Sequence, residues 1–371
     1  MVFKVDFEKA FDSIRWDFLD LVMEKIGFGS KWRSWIHGCL SNARSSVLVN
    51  GSPTNEFEIF RGLRQGDPLS PFLFILVMEV LHAITRKSVG LGLFKGASVG
   101  QGNLNISHLM YVDDVIFMGE WSHSNIQNLL RMLRCFYLVS GLKINVHKSN
   151  ILGVYVPIQD AEVMAKSVGC GVASFPLKYL GVPVGCNMSR CANWNPIILK
   201  FSSKLAQWKA RLLSVGGRLS LIKSVLGNLP TYYMSLYMMP MAIHKKLEMM
   251  RNKFFIGGEE GEKKITWVKW EKCLASKKLG GLGIGSIYAL NLGLLFKWIW
   301  RFLCHSNDLW ACVIKNIYGI KGGINDERAH HSTWGAILSS VKRLKLKGID
   351  FLSLCKMKLR NGVLISFWDD I

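Results

Sequence analysis

The chain has no long hydrophobic run. Its longest apolar stretch, Phe72 to Met78, stops at Glu79. A bilayer-spanning helix needs about 20 apolar residues, so no membrane-spanning segment is expected. Acids are also scarce: 26 Asp and Glu stand against 47 Lys and Arg in 371 residues, a formal net charge of +21. Such an excess repels itself in a compact fold, so it points to a polyanionic partner, nucleic acid first and an anionic membrane second. Cysteine gives no framework. The nine residues are an odd count, and the one C-x4-C pair, Cys186 and Cys191, has no second Cys/His pair at zinc-ligand distance. Reduced cysteines that pack as small hydrophobes in an intracellular protein are expected. No targeting signal is read, because Lys4, Asp6, Glu8 and Lys9 interrupt the first apolar stretch. The expected location is the nucleus, the cytoplasm or both.

What is present is a folded, unevenly charged chain. Half of the residues are apolar and 11% are aromatic, which excludes a disordered protein. At roughly 150 residues per domain the length suggests two or three domains. Residues 1–150 carry 16 Lys and Arg against 13 Asp and Glu, whereas the remainder carries 31 against 13. The front reads as a nearly neutral core with embedded acids, and the back as a basic binding surface.

The front alternates strand and helix. Val2 to Phe7 is strand-like. Trp16 to Ile26 has helical spacing and stops at Gly27. Ser46 to Asn50 and Phe57 to Arg61 flank Gly51-Ser52-Pro53 as a hairpin. Ser70-Pro71, read as N-cap and first helical residue, opens an apolar helix to about Lys87. Leu109 to Met118 is a strand pair, Ser124 to Ser140 an amphipathic helix closed by Gly141, and Leu142 to Val146 and Ile151 to Val156 return to strand. The fold class is α+β, an antiparallel sheet backed by helices.

Beyond Pro157 the pattern turns mainly helical. Trp194 to Leu213 is expected as one helix with Lys200, Lys204, Gln207 and Arg211 on a stripe opposite Phe201, Leu205 and Leu212. That stripe suits a phosphate backbone or a solvated face. Gly257 to Lys264 is a Gly/charge-rich boundary. Lys263, Lys264, Lys269, Lys272, Lys277 and Lys278 then cluster around Trp267 and Trp270, a basic surface interleaved with aromatics.

The carboxylates carry the chemistry. Tyr111-Val112-Asp113-Asp114-Val115-Ile116-Phe117 sets two adjacent acids in an apolar strand pair, and nothing basic lies between His108 and Arg131 to neutralise them. Buried carboxylates side by side repel, and a divalent cation is the natural compensation; an exposed Asp-Asp turn is the plainer alternative. Asp6, between Val5 and Phe7, repeats the setting, and Asp12 follows. Oxygen ligands suit hard metals, and two such ions clamp the attacking and leaving oxygens of phosphoryl transfer. Asp12 is expected to be structural. The basic turn Arg61 to Asp67, running into a helix N-terminus, suits a nucleotide contact.

These segments resemble a known family. F-x-V-D-F-E-K-A-F-D, R-Q-G-D-P-L-S-P, Y-V-D-D and G-L-K-I-N-V-H-K-S stand in the order of the palm motifs of reverse transcriptases, closest to non-LTR (LINE-type) retrotransposons. The later part, including Leu213 to Leu219 and Lys297 to Arg301, is similar to the thumb and following region of such polyproteins. The resemblance implies a right-hand polymerase palm over 1–156 with truncated fingers, a helical thumb-like region over 157–256, and a basic, Trp-rich region over 257–371. It implies RNA-directed DNA polymerisation with two Mg²⁺ ions, or Mn²⁺ in their place, on an RNA template and DNA primer with dNTPs, in the service of DNA integration. Asp6, Asp113 and Asp114 match the metal-binding triad. Phe11 matches the aromatic that excludes a ribose 2′-OH. Arg64, Gln65 and Gly66 match the nucleotide-positioning turn. Lys148, rather than Lys143, matches the lysine that protonates the leaving pyrophosphate. The family's fingers and endonuclease are not seen before Asp6, and Phe367 to Ile371 resembles the start of its Cys/His segment. A chain of this extent is expected to polymerise poorly, and a nucleic-acid-binding remnant or a metal-dependent nuclease are the competing functions.

Overall fold

The computed structural model describes residues 1–100, 104–208, 210–258, 268–324 and 332–354. Lys263, Lys264, Trp267 and the Phe367 to Ile371 segment lie outside the described residues. The chain divides into two units, Met1–Gly181 and Val182–Ile371.

The front unit is built on a five-stranded sheet. Its strands lie in the order Gly171–Val172, Asn150–Leu152, Val2–Val5, Asp114–Met118 and His108–Tyr111. All neighbours are antiparallel except Asn150–Leu152 with Gly171–Val172. Successive side chains along a strand point to opposite faces, so every second residue meets the core. Phe3, Val5, Val115 and Phe117 are fully buried on one face. The Ser70–Gly90 and His123–Ser140 helices cover that face with Leu73, Phe74, Val77, Leu129, Leu133 and Phe136. The α+β class and the antiparallel sheet backed by helices are therefore as the sequence implies. The Ile158–Val168 helix and the Gly171–Val172 strand, grouped by sequence with the later region, belong to this front unit.

Several local expectations change. Leu142 to Val146 is no strand; only Ile144 bridges to Phe7. Asn145 instead starts a turn, its carboxamide oxygen accepting from the Lys148 N–H at 3.1 Å and its carbonyl from the Ser149 N–H at 2.9 Å. Such Asx turns offer the backbone an alternative to a ladder. The strand expected from Ile151 to Val156 ends at Leu152. Ser70 does not cap its helix. It is the first helical residue and buried, and the Asp67 carboxylate accepts the Leu69 N–H at 2.8 Å instead.

The back unit is mainly helical. Trp194, fully buried, donates its indole N–H to Met188 carbonyl at 2.9 Å and anchors the Asn195–Gln207 helix. The Met241–Phe255 helix packs beside it. The Ile287–Cys304 helix is long and apolar enough, by length and composition, to cross a membrane, contrary to the expectation from apolar runs. One face of it is nevertheless core: Leu292, Leu295, Ile299 and Phe302 are buried, and Asn291 spans to Met234, Tyr237 and Met239 backbone groups.

Candidate active site

Asp6 sits just beyond the central strand. Its backbone is held on both sides. The Asp6 N–H donates to Ser149 Oγ at 3.1 Å, and the Asp6 carbonyl accepts from the Asn145 N–H at 2.7 Å. Ser149 is fully buried and donates onward to Asn145 carbonyl at 2.7 Å. Sequence reasoning missed both residues as supports, although they belong to the same motif as Lys148. The chain then turns sharply, with Lys9 at φ 46 in the left-handed region before the short Ala10–Ser13 helix.

Asp113 and Asp114 lie at a hairpin turn in the adjoining strands. Tyr111 pairs with Asp114, leaving Val112 and Asp113 as the two central residues. Val112 has φ 55. Glycine is the usual occupant of that conformation, and a β-branched residue there stores about 1–2 kcal/mol of strain. Strain of this kind gathers at functional sites. Val5 pairs with Val115, so one further step of the register sets Asp6 beside Asp114. At the base of this hairpin His108 meets His82 at 2.7 Å and Ser107 Oγ at 2.8 Å. Burial first, then the neighbouring charges of His82 and Arg86, lowers His108 to about 4.

The acids are not gathered into one cluster. Among the described residues no three His, Cys, Asp or Glu side chains form a group that could hold an ion, so Asp6, Asp113 and Asp114 stand beside one another without converging on one point. Two physical reasons account for this. Asp113 is turned out and exposed at the hairpin tip, and Asp114 Oδ1 faces Lys4 Nζ at 3.6 Å. Reading the interval between His108 and Arg131 alone missed this counter-charge, which comes from across the sheet. The donor set still suits a hard divalent ion, since it is all carboxylate and half-exposed or exposed.

The Arg61 to Asp67 turn is locked to the segment after Asp6. Leu63 N–H donates to Phe11 carbonyl and Gly62 N–H to Ile14 carbonyl, both at 2.7 Å, while Trp16 Nε1 donates to Gly62 carbonyl at 2.7 Å. Gly62 has φ 90, and a Cβ there would stand 2.7 Å from Asp12 carbonyl oxygen. Asp12 is exposed, and its part is this backbone approach. Phe11 stacks on Phe74 with ring centroids 4.7 Å apart. Arg64 and Gln65 line a cleft of about 580 Å³ with Asp12, Trp16, Leu40 and Phe60, and Gly66 stands at φ 88 in open space.

Lys148 is exposed in the turn that holds Asp6, whereas Lys143 pairs with Glu8 at 3.2 Å. In the back unit the single expected helix breaks. It ends at Gln207, Trp208 is extended against Phe254 at 5.7 Å, and Arg211 lies in a separate turn, Ala210–Leu212. Trp208 is half-buried there and Arg211 leaves the stripe; Lys200 and Lys204 stay on it, exposed.

Residues 1–184 match the family Reverse transcriptase (RNA-dependent DNA polymerase). This segment is a LINE-type reverse transcriptase domain. Over 180 residues the chain is 32% identical to a protein of Arabidopsis thaliana provisionally named a ribonuclease H protein, covering 47% of this chain and 28% of that one. Over 154 residues it is 29% identical to a retrovirus-related Pol polyprotein from a type-1 retrotransposable element of Popillia japonica, covering 41% of this chain and 21% of that protein. The chain thus spans under a third of the length of these relatives. A telomerase structure from Candida tropicalis is similar over 95% of this chain and 47% of its own, with 11% identity and a TM-score of 0.36. All four motif segments fall inside the matched reverse transcriptase domain, and Lys200, Lys204 and Arg211 lie beyond it.

Proposed function

We propose that the chain carries out RNA-directed DNA polymerisation, extending a DNA primer with dNTPs on an RNA template, with Mg²⁺, or Mn²⁺ in its place, at Asp6, Asp113 and Asp114. The observation that carries this reading is the register that puts the Asp6 segment against the strained Val112-Asp113 turn inside a reverse transcriptase domain. Two divalent ions at these carboxylates would neutralise charge developing on the transferring phosphoryl group.

The chain's own residues divide the remaining work. The stacked Phe11 presents a wall for the sugar, and Arg64 and Gln65 offer donors along their cleft for the incoming nucleotide and the template. Gly66 lets the backbone pass close to a ligand. Lys148 supplies a proton to the leaving pyrophosphate. Lys200 and Lys204, with Arg211 from its neighbouring turn, bind the nucleic-acid backbone, and the later helical region serves as the thumb. Primer extension on an RNA template with Mg²⁺ tests this. Extension by the 371-residue chain that disappears in Asp113→Asn is expected, and equal extension by both would overturn the reading.

A further inference from the structure

We infer that Lys4 is the built-in counter-ion of the acid site, and that its ammonium group sets how tightly the site takes a divalent cation. This rests on the reading of Asp6, Asp113 and Asp114 as metal-holding residues.

Side chains alternate along a strand, so Lys4 and Asp6 share the face opposite the buried Phe3 and Val5. Lys4 pairs with Ile116 across the sheet, and Asp114 is the next same-face residue along that strand. Lys4 Nζ reaches Asp114 Oδ1 at 3.6 Å, with the two side chains 26% and 37% exposed. The same Nζ stands 6.0 Å from the centre of the Tyr179 ring, at the outer reach of a cation–π contact. The ammonium thus has two neighbours, the Asp114 carboxylate and, more loosely, the Tyr179 ring.

Its chemistry matches what the site needs without a metal. Neighbouring carboxylates repel, and a cation among them relieves the repulsion. A divalent ion arriving at Asp114 meets that cation and must push it aside or tolerate it. Coulomb repulsion between a single and a double charge several ångströms apart in a watery setting corresponds to about tenfold in affinity. Lys4 therefore acts as a positioning residue with two effects: it partners Asp114 when no ion is bound, and it weakens ion binding so that the site fills more readily when a nucleotide brings further negative charge.

Mn²⁺ binding, followed by electron paramagnetic resonance on the 371-residue chain without nucleotide, is the test. Lys4→Met and Lys4→Gln keep much of the length and lose the charge, and Lys4→Arg keeps the charge. Circular dichroism confirms that each variant is folded, and two uncharged variants guard against one failing to fold. The expected result is about tenfold tighter Mn²⁺ binding in both uncharged variants and near wild-type binding in Lys4→Arg. A role confined to folding would leave the affinity where it is. Equal affinity in wild type and the uncharged variants, with binding lost in Asp113→Asn, would overturn the inference and leave the polymerase reading standing. No Mn²⁺ binding by any variant would overturn both.

Discussion

The two units treat charge in opposite ways. In the back unit Glu248 is buried and saturated. It accepts from Arg251 at 3.1 Å on each oxygen, from Trp270 Nε1 at 2.8 Å and from the Ile287 N–H at 2.8 Å. In the front unit Asp114 meets one ammonium at 3.6 Å, and Asp113 stands exposed at a strained turn. A carboxylate with every lone pair occupied is a brace that ties the Met241–Phe255 helix to Trp270 and to the start of the Ile287–Cys304 helix. Carboxylates with lone pairs to spare are suited to ligands.

Breaking the brace should give the largest effect. Glu248→Ala strands the Arg251 guanidinium, itself 1% exposed, and is expected to cost about 3–5 kcal/mol in urea unfolding. Asp113→Asn should cost less than about 0.5 kcal/mol, because a surface carboxylate away from a cap or network does little for folding. A large loss for Asp113→Asn would erase the distinction between the two kinds of acid.

The turn that flanks the site sharpens the contrast between strain and contact. Gly62→Ala meets both a left-handed backbone and the Asp12 main chain, whereas Gly66→Ala meets only the former. Gly66→Ala should cost about 1–2 kcal/mol and Gly62→Ala clearly more, read as the difference in unfolding midpoint. Equal costs would show that the Asp12 approach relaxes without penalty.

The basic back half should next declare itself through salt. Lys200→Ala with Lys204→Ala should lower the slope of log affinity against log salt for single-stranded nucleic acid by about 1.4, and adding Arg211→Ala tests whether that separate turn shares the same strand. An unchanged slope would make the helix face merely solvated.

The motifs and the α+β class were legible because they depend on local chemistry: acids set in β-branched strands, Gly and Pro punctuation, and helical spacing. What was hidden depended on tertiary partners. The Ser30–Ser41 helix buries only Ile36 and leaves Trp32 and Trp35 exposed, so its apolar pattern points nowhere. Arg211 leaves the stripe where the helix ends at Gln207 and the Trp208 ring meets Phe254, far along the chain. Lys4 neutralises Asp114 from the other side of a strand pair, so a search along the neighbouring sequence finds no cation. Asn145 overrides β propensity with its own side chain, and Ser149 shows its purpose only once Asp6 lies beside it.

The smallest expected effect concerns protons at the base of the acid hairpin. Folded, His108 takes up a proton only near pH 4, because burial and the charges of His82 and Arg86 oppose it. Unfolded, it does so near its ordinary 6.5. Between these values the unfolded chain binds the extra proton, so the stabilising contribution is complete above pH 6.5 and is lost as the pH falls toward 4. The ring is part-exposed in a surface-facing strand, so the slope should be shallow. His108→Asn cannot titrate and should flatten that segment of the stability profile, measured as thermal midpoint against pH between 4 and 7. His244, whose pKa burial also lowers, remains in the back unit and leaves a residual slope of the same sign. An unaltered slope in His108→Asn would leave the hairpin base without a proton-linked step and assign the dependence to other groups, among them Asp17 and Asp20, whose pKa values their arginine partners lower.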